Sequence, residues 1–406
     1  ATGTGPARAF SYTIHSVNPP SALHLSLIDS TQAGRGCEPF MAFHGGRLWI
    51  AYADSGEPDP TTNRKPLRMA RARVAHPMSE ADWENYSLPG SPVRFSTTMQ
   101  TYAGRLVVAS IGDNGDVQVT RALVADPRQM SEWQTVVVDN AGTFFDPEGG
   151  EESAGAADVF MVEANGHLWL GYWEGDPLLP TPITIARALV AEPLAPSDWQ
   201  LYTLDPAAGH TPVDLAVLEG RLVVSYPDIA PGQGAGFPSF QALAIAQVPE
   251  PTSAGDFRFH TVDPTPTLQG PDAHLAVVGG RLQMIYHRDI GLLMFARALA
   301  SEPAARADWQ IHQIDAGARP NARNSLSVVD GRIVFAYMDT TNRHLKVARQ
   351  LNTRPTQASD WELRTVDDAP EVGRFSGCVP WAEGIAVGYV DQATDQLKLA
   401  LAQGVW

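Results

Sequence analysis

Cysteine is nearly missing from this 406-residue chain. Only Cys37 and Cys378 occur, too few for a disulfide framework or a cysteine-rich zinc site. Basic residues are scarce as well: 29 Lys and Arg face 45 Asp and Glu, a net charge of −16. Such a chain repels phosphate backbones and anionic membranes, so nucleic acid is not an expected partner. No apolar run approaches the ~18 residues of a membrane-spanning helix. Catalytic signatures are missing too. There is no G-x-S-x-G elbow, no P-loop, no H-E-x-x-H and no dinucleotide fingerprint. The sequence requires no cofactor. "DNGD" at 113–116 lacks the remaining ligands of a calcium loop and reads as a hairpin turn. The chain opens at Ala1 without a basic-then-apolar leader, the expectation for a processed or trimmed product.

What is present is a repeat. "GRLWIAYAD" (46–54), "GRLVVSYPD" (220–228), "GRIVFAYMD" (331–339) and "EGIAVGYVD" (383–391) are copies of one stretch. Around such stretches lie seven units, each with two short β-type runs joined by a Gly-containing turn, a hairpin signal. A third run follows, such as "LRMARARV" or "ITIARALV". A fourth is opened by Trp83, Trp133, Trp199, Phe257, Trp309 or Trp361. Four strands at a period near 50 residues define a β-propeller blade.

The sequence therefore predicts one all-β domain over 1–406, a seven-bladed propeller of four-stranded antiparallel sheets. The expected blades are approximately 37–90, 91–140, 157–206, 211–264, 271–316, 322–368 and 376–402. The last unit has three strands. "LHLSLIDS" (23–30) supplies the fourth and closes the ring, leaving no open sheet edge. "AFSYTIHSV" (9–17) is extra and unplaced.

The units "VDDAPEVGRFSG" and "VGYVDQATDQLKLA" carry a further signal. They resemble the largely uncharacterised bacterial β-propeller repeat family with "SYYD…DLKYA…W…TVD" units. The resemblance implies a scaffold and no catalytic residues. The pattern departs at Ser110, where other blades have Tyr, and at Gln247, read as standing where most have Arg.

Internal repetition separates frame from site. A residue present in every blade serves packing and turns. The "ARA" arginines and the aspartates before each aromatic (Asp82, Asp198, Asp256, Asp308, Asp360) are therefore read as structural, the latter fixing the turn through side-chain to backbone bonds. The "YxD" aspartates read as strand-end caps. Connections between first and second strands and between third and fourth strands are uniform. Those on the other face vary, at 54–66, 140–156, 174–182 and 228–240, and variable loops on a rigid frame are where sites are built.

First strands line the central channel with alternate residues inward. One expected inward level holds Phe40, Thr98, Phe160, Asp214, His274 and Ser325, with Cys378 roughly level. The next, nearer the variable rim, holds Glu38, Ser96, Asp158, Pro212, Asp272, Arg323 and Ser376. His210, His287 and Asp289 join them. The ligand-binding candidates are thus Glu38, Asp158, His210, Asp214, Asp272, His274 and Arg323. The catalytic candidates are His274, Asp214 and His287, because carboxylate plus imidazole suits general acid/base work, and a cation held in the channel fits the same set. An ion pair between Asp214 and His274 is the structural alternative.

Two functions fit. The favoured one is a binding propeller, extracellular or at the cell envelope rather than cytoplasmic, holding a small molecule, glycan or peptide in a polar funnel on the long-loop face. The alternative is a hydrolase, lyase or isomerase using the funnel carboxylates and histidines. A lectin with one site per blade is least favoured, because the repeated aromatics read as buried. Cys37 and Cys378 enter the first strands of blades that closure makes neighbours, which leaves a disulfide between them open.

Overall fold

The computed structural model describes residues 23–29, 39–53, 66–90, 93–112, 114–140, 155–175, 181–208, 213–229, 239–267, 273–288, 291–318, 325–381 and 384–403. They form seven four-stranded antiparallel sheets, a seven-bladed β-propeller. Blade 1 runs Phe40–His44, Arg47–Ala53, Leu67–Ala72, Trp83–Ser87. Blades 2 to 7 begin at Val93, Gly155, Asp214, Ala273, Ser325 and Val372.

Each sheet alternates large apolar side chains to both faces, because both faces meet a neighbour. Seven buried clusters result, each spanning two adjacent blades. Ring closure is as the repeat predicts. Leu23–Asp29 pairs antiparallel with the third strand of blade 7, from Leu23 opposite Ala402 to Asp29 opposite Leu397. At the same seam Gly377 and Gly388 let blade 1 approach closely. A Cβ at 377 would lie 2.6 Å from the Pro39 carbonyl, and one at 388 would lie 2.9 Å from the Met41 sulfur.

The turn aspartates act as expected. Asp82 accepts from the Met78 and Ser79 amides at 2.9 and 3.0 Å. Asp198, Asp256, Asp308 and Asp360 repeat this, and Glu132 substitutes in blade 2. Three of the "ARA" arginines, Arg71, Arg121 and Arg187, clamp one blade to the next. Arg71 binds Asp126 of blade 2 with two bonds of 2.7 and 2.6 Å, and Arg121 binds Glu192 of blade 3 at 2.9 Å. In blade 4 the arginine position is Ile245, opposite Val223, not Gln247 as the sequence suggested. Gln247 lies two residues further on, where its amide bonds the Asp256 carbonyl. There Arg221 takes over, binding Glu302 of blade 5 at 2.7 Å.

A second seam device joins the tyrosine of the second strand, in most blades, to an aspartate of the fourth strand of the preceding blade. Tyr52 donates to Asp29 at 2.7 Å, Tyr172 to Asp139 at 2.6 Å, Tyr337 to Asp315 at 2.6 Å and Tyr389 to Asp367 at 2.7 Å. Blade 2 has Ser110 instead of tyrosine, and the fourth strand of blade 1 is followed by Pro89 where the others carry aspartate. Donor and acceptor are lost together, so neither is left buried and unpaired.

Candidate functional site

The channel is barred by rings. Phe40 of blade 1 meets Phe160 of blade 3 edge to face, centroids 6.4 Å apart. Phe160 meets His274 of blade 5 in the same way, also at 6.4 Å. Contacts between non-adjacent blades require these side chains to reach into the channel, as the alternation predicts. His274 is buried and packs against Phe335 at 5.5 Å. His287, buried on the second strand of blade 5, packs against the same Phe335 ring at 6.5 Å.

Asp214 is committed to the frame. One carboxylate oxygen accepts from its neighbour's amide, Leu215, at 2.8 Å. The other accepts from the Leu275 amide of blade 5 at 2.6 Å. It therefore ties blades 4 and 5 through their backbones.

Asp158 departs from its expected place. A bulge lies between Ala157 and Val159, and Asp158 takes the left-handed conformation at φ 53°. The extra residue breaks the alternation, so Asp158 is buried beneath Trp173, whose indole N–H reaches it at 3.4 Å. Ser376 faces blade 6, where its hydroxyl donates to the Ala336 carbonyl at 3.3 Å. Cys378 is also off the channel. It pairs with Val387, one residue beyond the level of Phe40, where Gly377 stands, and one residue reverses the facing. Its free thiol is buried, donating to the Ser325 carbonyl at 3.2 Å. Glu38, Ser96, His210, Pro212, Asp272, Asp289, Arg323 and Cys37, with the stretch 9–17 and most of the long loops, lie outside the residues or side chains the structure describes.

A polar asymmetry not anticipated from the sequence sits on the long-loop face, around the tyrosine–aspartate bonds. In blades 5, 6 and 7 these carboxylates have a basic side chain at hand. Lys346 lies 3.5 Å from Asp315 and 3.1 Å from Asp339. Lys398 lies 3.6 Å from Asp367 and 2.6 Å from Asp391. Arg288 donates to Asp263 at 3.1 Å, and Arg68 holds the lysine position in blade 1, opposite Tyr52. Burial opposes ionisation of Asp339, yet the Thr341 amide and the Lys346 ammonium hold its carboxyl below the usual range.

Blades 3 and 4 lack that cation. Thr184 stands opposite Tyr172 and Ala242 opposite Tyr226. Each of these blades nonetheless keeps a second carboxylate. Glu174 neighbours Asp139, and Asp228 neighbours Asp205. Burial, then Asp139, pushes the Glu174 carboxyl up against the opposing Thr184 hydroxyl. Burial, then Asp205, does the same to Asp228. All four are partly exposed. The signal was in the repeat: the "DLKYA" lysine is present in blades 6 and 7 and replaced in blades 3 and 4. Among the described residues no group of three or more His, Cys, Asp or Glu is arranged to hold a metal ion, and no helix is long and apolar enough to cross a membrane.

No family model and no curated protein matches the chain. Solved structures do. A mutant of AofleA from Arthrobotrys oligospora is 10% identical, with a TM-score of 0.48, over 97% of this chain and 90% of its own. The fucose-specific lectin from Aleuria aurantia is 12% identical, with a TM-score of 0.45, over 86% and 96%. The NanB sialidase from Streptococcus pneumoniae is 10% identical, with a TM-score of 0.44, over 92% and 68%. At these identities the likeness concerns the fold alone.

Proposed function

We propose that this chain is a binding propeller, extracellular or at the cell envelope, whose site lies on the long-loop face over blades 3 and 4. Its ligand is a small molecule, glycan or peptide rich in hydroxyl or amine donors. The observation that carries this reading is the missing cation at Thr184 and Ala242. It leaves Asp139 and Glu174 as a close carboxylate pair and sets Asp228 beside Asp205, where blades 6 and 7 place a lysine between the corresponding carboxylates. Ionised carboxylates are acceptors only, so they suit ligand hydroxyls or ammonium groups, and a bound donor would relieve the repulsion that raises Glu174 and Asp228. The ring bar of Phe40, Phe160 and His274 lies deeper in the channel and gives that face a floor.

The enzymatic alternative has less support. Asp214 accepts two backbone amides that tie it to the frame, and His274 and His287 are buried against Phe335, which leaves neither imidazole open to solvent for acid–base work. The test is a printed glycan panel and a polyamine panel, probed with labelled wild type and with the double variant Glu174→Gln/Asp228→Asn. Binding by the wild type that falls at least tenfold in the folded variant supports the reading. Binding that survives the substitutions unchanged refutes it.

A further inference from the structure

The opposite mouth of the channel carries a separate feature. On the tight-turn side of the ring bar, the first strands of blades 3 to 6 line an open cavity of about 490 Å3. Small-molecule sites span roughly 300–1,000 Å3. Most of the lining side chains are aliphatic, Val162, Leu215, Leu275 and Leu326 among them, and polar atoms share the exposed wall with them. Ser327 also lines the cavity, but its hydroxyl is taken by the Cys378 carbonyl at 2.6 Å.

Glu163 is the one charged residue of the lining. It is exposed at the rim and has no ion-pair partner among the described residues. Three other acids of this face are engaged: Glu192 by Arg121, Glu250 by Arg187 and Glu302 by Arg221. The strand registers give the equivalents of Glu163 in the other blades. They are Phe43, Thr101, Val217, Val277, Val328 and Pro380, and none carries a charge. A lone carboxylate breaks the repeat at this level, beside aliphatic side chains of the lining. An anionic ligand would be repelled there, and a neutral one would leave the carboxylate unused.

We propose that this cavity binds a small, largely apolar molecule carrying one protonated amine. The apolar body lies on the aliphatic wall and the ammonium reaches Glu163. The site is independent of the one over blades 3 and 4, because the Phe40–Phe160–His274 bar separates them.

Dansylcadaverine, a fluorescent ring system with one primary amine, is the probe. Fluorescence titration of the wild type should give saturable, blue-shifted emission that weakens with salt. Glu163→Gln should weaken binding about three- to fivefold, the scale of one exposed charge pair, and remove the salt dependence. Val277→Trp, at the half-buried rim, should abolish binding. Glu174→Gln/Asp228→Asn should leave it unchanged. The proposal is overturned if the wild type shows no saturation at roughly millimolar probe, if Glu163→Gln binds as wild type, or if Val277→Trp still binds. It is also overturned if the blade 3 and 4 variant alone abolishes binding, which would place the dye on the other face.

Discussion

Two histidines should make this ring sensitive to mild acid. His260 of blade 4 accepts the indole N–H of Trp309 of blade 5 through Nε2 at 3.2 Å. His312 accepts that of Trp361 of blade 6 at 3.0 Å. Both bonds need a neutral imidazole, since a protonated ring has no acceptor. Burial, helped by the Arg258 guanidinium and opposed by Asp308, lowers His260 to about 4. Burial also lowers His312, with Asp360 opposing and Arg297 assisting. The unfolded chain takes up these protons near pH 6.5, so it binds more protons than the folded one below that point. Stability is therefore full above pH 6.5 and is lost as pH falls toward 4. For His260 the fall from 6.5 to about 4 would correspond to about 3 kcal/mol in full at ~1.4 kcal/mol per pH unit. Solvent reaching the half-buried ring reduces this to about 1–2 kcal/mol. Urea unfolding followed by tryptophan fluorescence between pH 7.5 and 5 should show this loss for the wild type. In His260→Gln/His312→Gln, which keeps an acceptor without the titration, most of it should vanish. Asp82, Asp256, Asp308 and Asp360, held below the usual carboxylate range chiefly by backbone amides, do not intrude on that window. If the variant loses stability as steeply as the wild type between pH 6.5 and 5, the histidine–tryptophan bonds are not the cause.

Glu174→Gln and Asp228→Asn should each raise stability at pH 7, by a few tenths to about 1 kcal/mol, because a carboxyl raised in the fold costs stability as pH climbs through its folded value. The gain should fade at pH 4 in the same urea assay, and a loss at pH 7 would contradict it. Tyr389→Phe, which strips Asp367 of its 2.7 Å donor, should cost about 1–3 kcal/mol. Ser110→Tyr and Pro89→Asp together should be more stable than the sum of the single changes, and a coupling energy of zero in the double-mutant cycle would show that the seam cannot accept the bond. Cys378 should resist thiol reagents in the folded protein, since it is buried and burial pushes its thiol up. Unfolded without reductant, the chain should yield two thiols, Cys37 and Cys378, and a count of zero would mean that they bridge after all.

Blade number, strand order and ring closure were legible because each rests on a pattern written several times. "GRLVVSYPD" and its copies mark hairpins, and the "DW" turns mark fourth strands. The turn aspartates could be assigned for the same reason. Side-chain facing in the channel was legible only where the first strands are regular, as at Phe40, Phe160 and His274. The bulge at Asp158 and the one-residue offset at Cys378 reverse the facing, and neither leaves a local mark in the sequence. The seam bonds were harder still. Tyrosine and aspartate were each visible as repeats, but their pairing joins strands of different blades. The joint departure at Pro89 and Ser110 was the clue. The neighbouring carboxylates of blades 3 and 4 follow from the same pairing and could not be recognised without it.

The closing strand has a consequence for biosynthesis. Leu23–Asp29 leaves the ribosome before the other described strands, and its partner, Gln396–Gln403, leaves after them. At ~5–20 residues per second, about 370 residues of further translation leave the early strand waiting for tens of seconds. Throughout that interval its hydrogen-bonding edge has no mate in its own chain, and blade 7 does not yet exist. Neighbouring nascent chains on one polysome each present the same unpaired strand at high local concentration, so chaperone supply during translation should govern the yield of soluble protein more than the stability of the finished ring.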